Sequence, residues 1–303
     1  MKVPITQSKE WQKLQDDLGE KSFYKMEDNY QYLAILKSTP VGNYIYCPYG
    51  PIANDKAAFK QAIESLKNLA KEQTAVFIRV EPFNREEAKC LPENTKKSTD
   101  LNPAETWLLD LTGSDDDLKA KLPSRLLRYY RQAEKKGITI EQSHDVSDIH
   151  YLLDLQKALA SKKGISTFPE EYLKTELKQP FATLYLLKKD DKIEAAGLVF
   201  DDKDIRYNLQ GAQTNEGRNL HATGILTIQL ILDAKKKALK IFDFWGIAPE
   251  GAPKNHPWAG FTNFKKTFGG YEFDHAGTYD IVLKPFKYKF YQLTRKLNRI
   301  MRK

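Results

Sequence analysis

One order of predicted elements occurs twice along this chain and limits the folds it can adopt. Each half contains strands in a hairpin or meander, then an amphipathic helix, then a short apolar strand. In the first half these segments are 30–37, 43–51, 57–73 and 75–83. In the second half they are 182–212, 222–240 and 241–246. Repetition of one supersecondary unit predicts two similar domains, each with its own core.

The repeated order fits the central part of the GNAT acyltransferase fold. We therefore predict an α/β (α+β) protein with two tandem GNAT-like domains, in which mixed sheets are flanked by helices. The first domain is predicted over 1–112, with a C-terminal helix over 285–303 packing on it, and the second over 113–284. The chain has no long charged heptad insertion, so no coiled-coil arm is expected.

Cysteine and histidine usage argues against disulfide-stabilised and metal-dependent classes. The chain has two cysteines, Cys47 and Cys90, and its five histidines are scattered without metal-ligand spacing. It contains no run of about 18 apolar residues and no apolar leader segment, which indicates that it neither spans a membrane nor is secreted. We therefore expect a cytoplasmic protein without a metal or a bound cofactor.

The positive charge is concentrated at the C-terminus. The net charge is +8. Residues 284–303 contain eight basic residues and no acid, and the basic and acidic residues in the rest of the chain cancel. An apolar stripe at helical spacing runs through Phe286, Phe290, Leu293, Leu297 and Ile300. Three interpretations remain open: a helix that caps the first domain through this stripe, a helix on an anionic membrane surface, or a helix that attracts RNA phosphates.

The segment 241–270 carries the most distinctive local chemistry. A buried strand ends at Gly246, a loop rich in Pro, Gly and Asn follows, and Phe264 and Phe268 then bracket two lysines before a double glycine. Lysines beside aromatic rings suit an anionic ligand with a flat ring, such as a nucleotide. The alternative is a surface loop with solvated lysines and two core phenylalanines.

This segment, together with two others in the same order, resembles the FemX/FemA/FemB family. The shared features are a strand ending in Trp-Gly, then FKKTFGG and a further strand; the segment TWLLDLTGS through ITIE at 106–141; and YIYCPYGPI at 44–52. Members of that family are aminoacyl-tRNA-dependent peptidyltransferases that build peptidoglycan cross-bridges on two GNAT-like domains. The resemblance implies aminoacyl-tRNA as co-substrate and a peptidoglycan precursor, either UDP-MurNAc-pentapeptide or lipid II, as acceptor. It places the protein in the cytoplasm or at the inner face of the membrane.

The resemblance also assigns roles around the lysine pair. Lys265 would contact the tRNA acceptor end and stabilise the developing charge, with Phe264 against the terminal adenine. An alignment slip of one residue would give that role to Lys266. Tyr207 lies on a central predicted strand and could contact either substrate or pack in the core, and Trp245 is expected in the core.

A carboxylate near the acceptor amine could orient it, and Glu81 is the candidate because it ends a buried strand. The family often has Asp at the matching place, which leaves the reach of this group open, and a surface carboxylate is the alternative. Arg79 lies on the same face two residues earlier and could neutralise Glu81.

Cations for a precursor diphosphate are less clearly marked. Lys162 stands where the family tends to carry arginine, and it could equally stabilise the end of its own helix. Lys13 matches more loosely. A basic stripe on one predicted helix, which could follow RNA phosphates or pair with nearby acids, contains Arg125, Arg128, Arg131 and Lys135.

Two other function classes compete. An acyl-CoA-dependent GNAT N-acyltransferase would hold pyrophosphate on a glycine-rich turn, but the corresponding run, 215–224, lacks the tight glycine pattern. A non-catalytic protein that binds tRNA or anionic membrane would explain the basic tail alone.

Overall fold

The computed structural model describes the backbone of residues 3–163, 167–253 and 258–301, and the side chains of these residues except 162–163 and 298–301. The chain divides into two compact units. The first unit comprises Met1–Ala104 and Asp274–Lys303, and the second comprises Glu105–Phe273.

The first unit is built on one mixed sheet. Its strands are β1 (Lys21–Met26), β2 (Tyr30–Lys37), β3 (Tyr44–Cys47), β4 (Ile52–Ala53), β5 (Phe77–Val80), β6 (Thr95–Lys97) and β14 (Tyr279–Val282), in the order β1-β2-β3-β5-β14-β6 with β4 paired to β2. Its helices are α1 (Lys9–Asp17), α2 (Lys56–Glu72), α3 (Arg85–Ala88) and α11 (Pro285–Met301). Strands β3 and β5 pair in parallel, and all the other strand pairs of this sheet are antiparallel.

Helix α2 follows directly from its sequence. Asp55 caps it by accepting a hydrogen bond from the backbone N–H of Ala58, which satisfies one of the unpaired donors of the first turn. Phe59, Ile63 and Leu66 recur at helical spacing and are buried against the sheet.

The second unit has a seven-stranded sheet in the order β13-β7-β12-β11-β10-β9-β8. Its strands are β7 (Glu105–Asp110), β8 (Ile138–Ser143), β9 (Ala182–Lys189), β10 (Lys192–Asp202), β11 (Ile205–Gln213), β12 (Ile241–Gly246) and β13 (Tyr271–Asp274). Its helices are α4 (Asp115–Lys121), α5 (Ser124–Gln132), α6 (Ile149–Lys163), α7 (Glu170–Leu177), α8 (Asn215–Asn219), α9 (Ala222–Lys236) and α10 (Ala259–Lys266). The pair β11–β12 is parallel.

The division of the chain differs from the predicted boundaries of 1–112 and 113–284. Strand β7 pairs with β12 of the second unit, so that unit begins at Glu105. Strand β14 pairs with β5 and β6, which brings the chain back into the first unit at Asp274. The identity of a strand's partner is a long-range property that side-chain alternation does not encode.

Helix α11 packs on the sheet of the first unit through Tyr288 and Tyr291. Both rings contact Phe77, with centroids 5.2 and 4.8 Å away, and the Tyr288 hydroxyl donates to Asp280 at 2.9 Å. The interpretation in which the helix caps the first domain through the apolar stripe was wrong, because Phe290 in that stripe is 58% exposed. Aromatic residues that satisfy a buried carboxylate determine which face packs, and hydrophobicity alone does not reveal them.

Candidate functional site

The second sheet changes its pairing where β11 and β12 run side by side. Their parallel register covers three residue pairs and ends at Tyr207 and Asp243. Beyond Asp243, β12 continues against β7 with an irregularity before Gly246. In open sheets with parallel strands, ligands bind beyond the carboxyl ends of the strands, so this edge is a candidate ligand site.

Asp243 shapes the end of β12. It is only 6% exposed, and its Oδ1 accepts a hydrogen bond of 2.7 Å from the backbone N–H of Trp245. Trp245 has φ of 66°, a left-handed conformation that is rare for a bulky residue. The ring of Trp245 meets Tyr207 edge to face at 6.3 Å. The carboxylate thus helps to hold a sharp turn at the edge of the sheet.

Lys265 reaches this turn from α10. Its Nζ donates a hydrogen bond of 2.5 Å to the carbonyl of Gly246. Burial lowers the pKa of Lys265 to about 8, against the attraction of Asp243, and burial raises the pKa of Asp243 to about 7, against the attraction of Lys265. An acid and a base that both change protonation near neutrality suit proton transfer and charge stabilisation in catalysis.

The double glycine returns the chain from α10 to β13 and so fixes the position of Lys265. Gly270 has φ of 101°, and a Cβ there would lie 2.2 Å from the carbonyl oxygen of Leu108. The carbonyl of Gly269 accepts a hydrogen bond of 2.7 Å from Nε1 of Trp107. The glycines are therefore required by backbone geometry rather than by a ligand.

The neighbours of Lys265 face different environments. Phe264 is half-buried and meets Phe268 edge to face at 5.1 Å, at the margin of the core. Lys266 is exposed, with its Nζ 4.9 Å from the ring centre of Trp107 and 3.9 Å from Glu272. Of the two lysines, Lys265 alone reaches the turn beside Asp243.

Glu81, in the first unit, is buried rather than on the surface. It is 1% exposed, and its two oxygens accept from Tyr46 Oη at 3.0 Å, Tyr49 N at 3.2 Å, Thr278 Oγ1 at 2.9 Å, and Asn102 N and Nδ2 at 3.1 and 2.8 Å. A carboxylate with five donors is typical of a structural tie between segments. The prediction that Glu81 orients an amine is not tested by this geometry.

Arg79 pairs with Asp280 and not with Glu81. Its Nε and Nη2 donate to the two carboxylate oxygens of Asp280 at 2.7 and 2.8 Å, and Nη2 also donates to Ser98 at 3.0 Å. Both members of this bidentate pair are at most 1% exposed. The sequence suggested a nearby partner on the same face, whereas the actual partner lies on β14, two hundred and one residues later.

The structure does not test whether Lys13 and Lys162 bind a diphosphate together. Lys13, on α1 of the first unit, is exposed and pairs with Asp17 at 2.7 Å. The side chain of Lys162 lies outside the described residues.

A cationic and aromatic group, called here the Tyr129 cluster, lies on the second unit. It consists of Arg125, Arg128, Tyr129, Lys136 and His221. The Tyr129 ring stacks on His221 at 4.7 Å, and both guanidinium carbons lie 5.5 Å and the lysine Nζ 5.7 Å from its centre. Arg125 donates to the tyrosine hydroxyl at 2.9 Å, which lowers the pKa of Tyr129. No ion pair among the described residues involves Arg125, Arg128 or Lys136, so the pairing with nearby acids considered from sequence does not occur for Arg125 and Arg128.

Neither a metal-binding cluster nor a membrane-spanning helix occurs among the residues that the structure describes. The described part of the chain brings together no group of three or more His, Cys, Asp or Glu side chains that could hold a metal. Within the same residues, no helix combines the length and apolar character needed to cross a bilayer.

The sequence of the chain matches a known family over most of its length. The model of the FemAB family matches residues 3–104 and 174–296. The chain belongs to the FemAB family. The resemblance drawn from the motifs is thereby confirmed, and membership supports aminoacyltransferase function in peptidoglycan cross-bridge synthesis in general. No curated protein sequence matches the chain.

Several solved structures share this fold. FemX is similar with a TM-score of 0.80 and 18% identity, covering 95% of this chain and 94% of FemX. The L-PGS from Bacillus licheniformis is similar with a TM-score of 0.60 and 13% identity, covering 99% of both chains. A tandem GNAT protein from the clavulanic acid biosynthesis pathway has a TM-score of 0.52 and 11% identity, covering 83% and 78%. The predicted fold class, two tandem GNAT-like units with mixed sheets, is confirmed.

Sequence reasoning missed Asp243, although one signal was present. Asp243 is the only charged residue in the buried strand Ile241–Gly246, and an isolated acid in an apolar strand requires a reason. The stacking of His221 on Tyr129 had no such signal, because it joins two helices distant in sequence.

A second buried carboxyl, Glu176 on α7, gives a stability prediction. Its Oε2 accepts from Gln210 at 2.8 Å, and burial raises its pKa to about 8. Because the folded protein retains this proton while the unfolded chain loses it near pH 4, stability is present at low pH and falls as pH rises towards about 8. Glu176→Gln should remove this part of the decline, and Tm measured from pH 5 to 9 should then depend less on pH. An unchanged slope would contradict the assignment.

Proposed function

We propose that this FemAB-family protein transfers an amino acid from aminoacyl-tRNA to an amino group on the stem peptide of a peptidoglycan precursor. The observation that carries the proposal is that Lys265 and Asp243 both hydrogen-bond to the turn at the end of β12, where the parallel strands end. The reaction is placed in the cytoplasm and uses no cofactor beyond the charged tRNA. The acceptor is UDP-MurNAc-pentapeptide or lipid II.

Each group has a defined task in this reaction. The acceptor nitrogen attacks the ester carbonyl carbon, and the resulting oxyanion is stabilised by the Lys265 ammonium. The Asp243 carboxylate accepts the proton that the attacking amine loses. The ester C–O bond then breaks, the proton passes to the departing ribose oxygen, and an amide is formed. Lys265 thus acts as an ammonium and Asp243 as a carboxylate at the same time.

The Tyr129 cluster supports RNA as part of the donor. Guanidinium and ammonium groups neutralise phosphates, and aromatic or guanidinium planes stack on bases. Arg125, Arg128 and Tyr129 of the cluster lie on α5, Lys136 follows this helix, and His221 precedes α9, which comes after the carboxyl end of β11. Because β11 and β12 are parallel, the start of α9 lies at the same sheet edge as Gly246, which Lys265 contacts.

The run that would hold the pyrophosphate of acyl-CoA is used for packing. Residues Asn215–Asn219 form α8, with Thr214 as its cap. A Cβ at Gly217 would lie 2.4 Å from the carbonyl oxygen of Glu194 on β10. This glycine is explained by a close helix–strand approach, and CoA-dependent transfer is therefore the weaker proposal.

A transfer assay tests the function directly. Purified protein is mixed with charged tRNAs and each precursor, and mass spectrometry is used to detect a precursor with one added amino acid. Transfer of an acyl group from CoA, together with no transfer from any charged tRNA, would refute the proposal.

The cluster gives a prediction for the donor. Changing Arg125 and Arg128 to Glu should raise KM for aminoacyl-tRNA by about tenfold to a hundredfold, with kcat little altered. The reason is that phosphate contacts stabilise the bound substrate and the transition state equally. The KM of the variant should also depend less on salt. Changing Lys192 and Lys236 to Glu gives the same net charge on the same unit and should leave KM unchanged. An equal effect in both variants would indicate only a general charge effect.

A further inference from the structure

The C-terminal helix α11 exposes a continuous apolar stripe. Phe286 is 88% exposed, Phe290 58%, Leu293 52% and Leu297 50%. Their spacing of four, three and four places all four on one face of the helix. Large apolar side chains that are contiguous and exposed mark an interaction surface rather than ordinary surface composition.

The opposite face of α11 is fixed to the first unit. Tyr288 is 2% and Tyr291 6% exposed, and both pack on the sheet beside Phe77. Tyr288 is held further by its hydrogen bond to Asp280. The stripe is therefore presented outwards on an anchored helix.

The charge around the stripe has one sign. Lys287 lies on one side of it and Lys289 and Lys296 on the other, and all three are exposed. Residues 284–303 contain no acidic side chain. An apolar helix face with cationic margins fits a partner that has an apolar interior and anionic groups on its surface.

We propose that α11 lies flat on an anionic lipid surface, with the Phe286–Leu297 stripe in the boundary between headgroups and acyl chains. The lysines at its margins bind the headgroup phosphates. An interfacial helix of this kind lies about 5–10 Å deep and does not cross the bilayer. The proposal concerns where the protein resides and does not depend on the reaction proposed above.

Two other occupants fit the surface less well. A second copy of the chain would bring two helices of the same positive sign together, and like charges facing each other are unfavourable. An RNA would neutralise the lysines but leave the four apolar side chains in water. The lipid surface satisfies both parts of the helix.

Vesicle binding tests the proposal. The full-length protein should cosediment with phosphatidylcholine vesicles that contain phosphatidylglycerol, and much less with phosphatidylcholine alone. Phe290→Ser combined with Leu293→Ser should weaken binding by about tenfold or more, because apolar burial supplies much of the affinity of an interfacial helix. Since both side chains are exposed, Tm and circular dichroism should match those of the parent.

The charged margin is tested separately. Changing Lys287, Lys289 and Lys296 to Glu should also weaken binding by about tenfold or more, and the difference from the parent should narrow as salt rises. The same charge reversal on exposed lysines elsewhere, Lys60, Lys71 and Lys178, should leave vesicle binding unchanged.

Several outcomes would overturn the proposal. One is a parent protein that does not bind anionic vesicles. Another is a serine variant that binds them as the parent does, which would leave only electrostatic adsorption. A parent dimer that the serine variant abolishes would make the stripe a contact between copies, and loss of RNA binding alone in the lysine variant would assign the helix to RNA.

Discussion

Lys265→Ala should lower turnover by about 10²- to 10³-fold, the range observed when one group that stabilises transition-state charge is removed. The Lys265 ammonium is the cation held at the turn beside Asp243, through its hydrogen bond to Gly246. The fold should survive, because a partly desolvated lysine contributes little to core stability. Single-turnover transfer from a charged tRNA, with Tm as a check of folding, measures the effect.

Lys266→Ala is the matched control. Its exposed ammonium contacts the Trp107 ring and is not at the turn, so its loss should change turnover by less than about tenfold. If Lys266→Ala were the crippling change, the roles of the two lysines would be exchanged. Full activity of folded Lys265→Ala would remove Lys265 from the mechanism.

Asp243→Asn should lower kcat/KM by about 10²-fold or more, the usual contribution of a general base. In the parent, kcat/KM should follow a bell-shaped pH profile. It rises as Asp243 loses its proton at about 7 and falls as Lys265 loses its proton at about 8. In Asp243→Asn the rising limb assigned to the carboxyl should be absent.

Lys265→Arg tests the fall of kcat/KM at high pH, which is assigned to Lys265. Arginine remains charged throughout this range, so the fall at high pH should disappear while measurable transfer remains. If Lys265 were instead the base, arginine would abolish the reaction. A bell-shaped profile that neither substitution alters would place its limbs on the substrates, which would contradict both roles.

The raised pKa of Asp243 also predicts how the stability of the protein depends on pH. Its folded pKa of about 7 lies above the value of about 4 in an unfolded chain, so the folded state binds more protons between these values. Stability should therefore fall as pH rises through that window, and Asp243→Asn should remove this contribution. Loss of activity without this change in the pH dependence of Tm would point to a structural effect of the substitution.

Local patterns predicted the elements that position the site. Helix α2 was expected over 57–73 and spans Lys56–Glu72, and β12 occupies the expected residues Ile241–Gly246. In both segments the apolar spacing agrees with the element that forms. The motif around Lys265 also identified a side chain that the fold brings to the end of a strand.

Long-range contacts were not accessible in the same way. The partner of Arg79 is Asp280, on a strand whose membership of the first sheet follows only from its pairing with β5 and β6. The face of α11 that packs was also not predicted, since a tyrosine that donates to a buried carboxylate outweighs a longer apolar stripe. Such choices depend on which groups meet across the fold.

The return of the chain into the first sheet has a consequence for biosynthesis. Strand β14 (Tyr279–Val282) lies between β5 and β6, so this sheet lacks an inner strand until β14 has left the ribosome. The second unit is complete in sequence earlier, at Phe273. Until Asp280 emerges, Arg79 lacks its carboxylate, and a buried unpaired guanidinium is strongly unfavourable. We therefore expect the second unit of the nascent chain to become protease-resistant first, and the first unit to do so only after β14 has been synthesised.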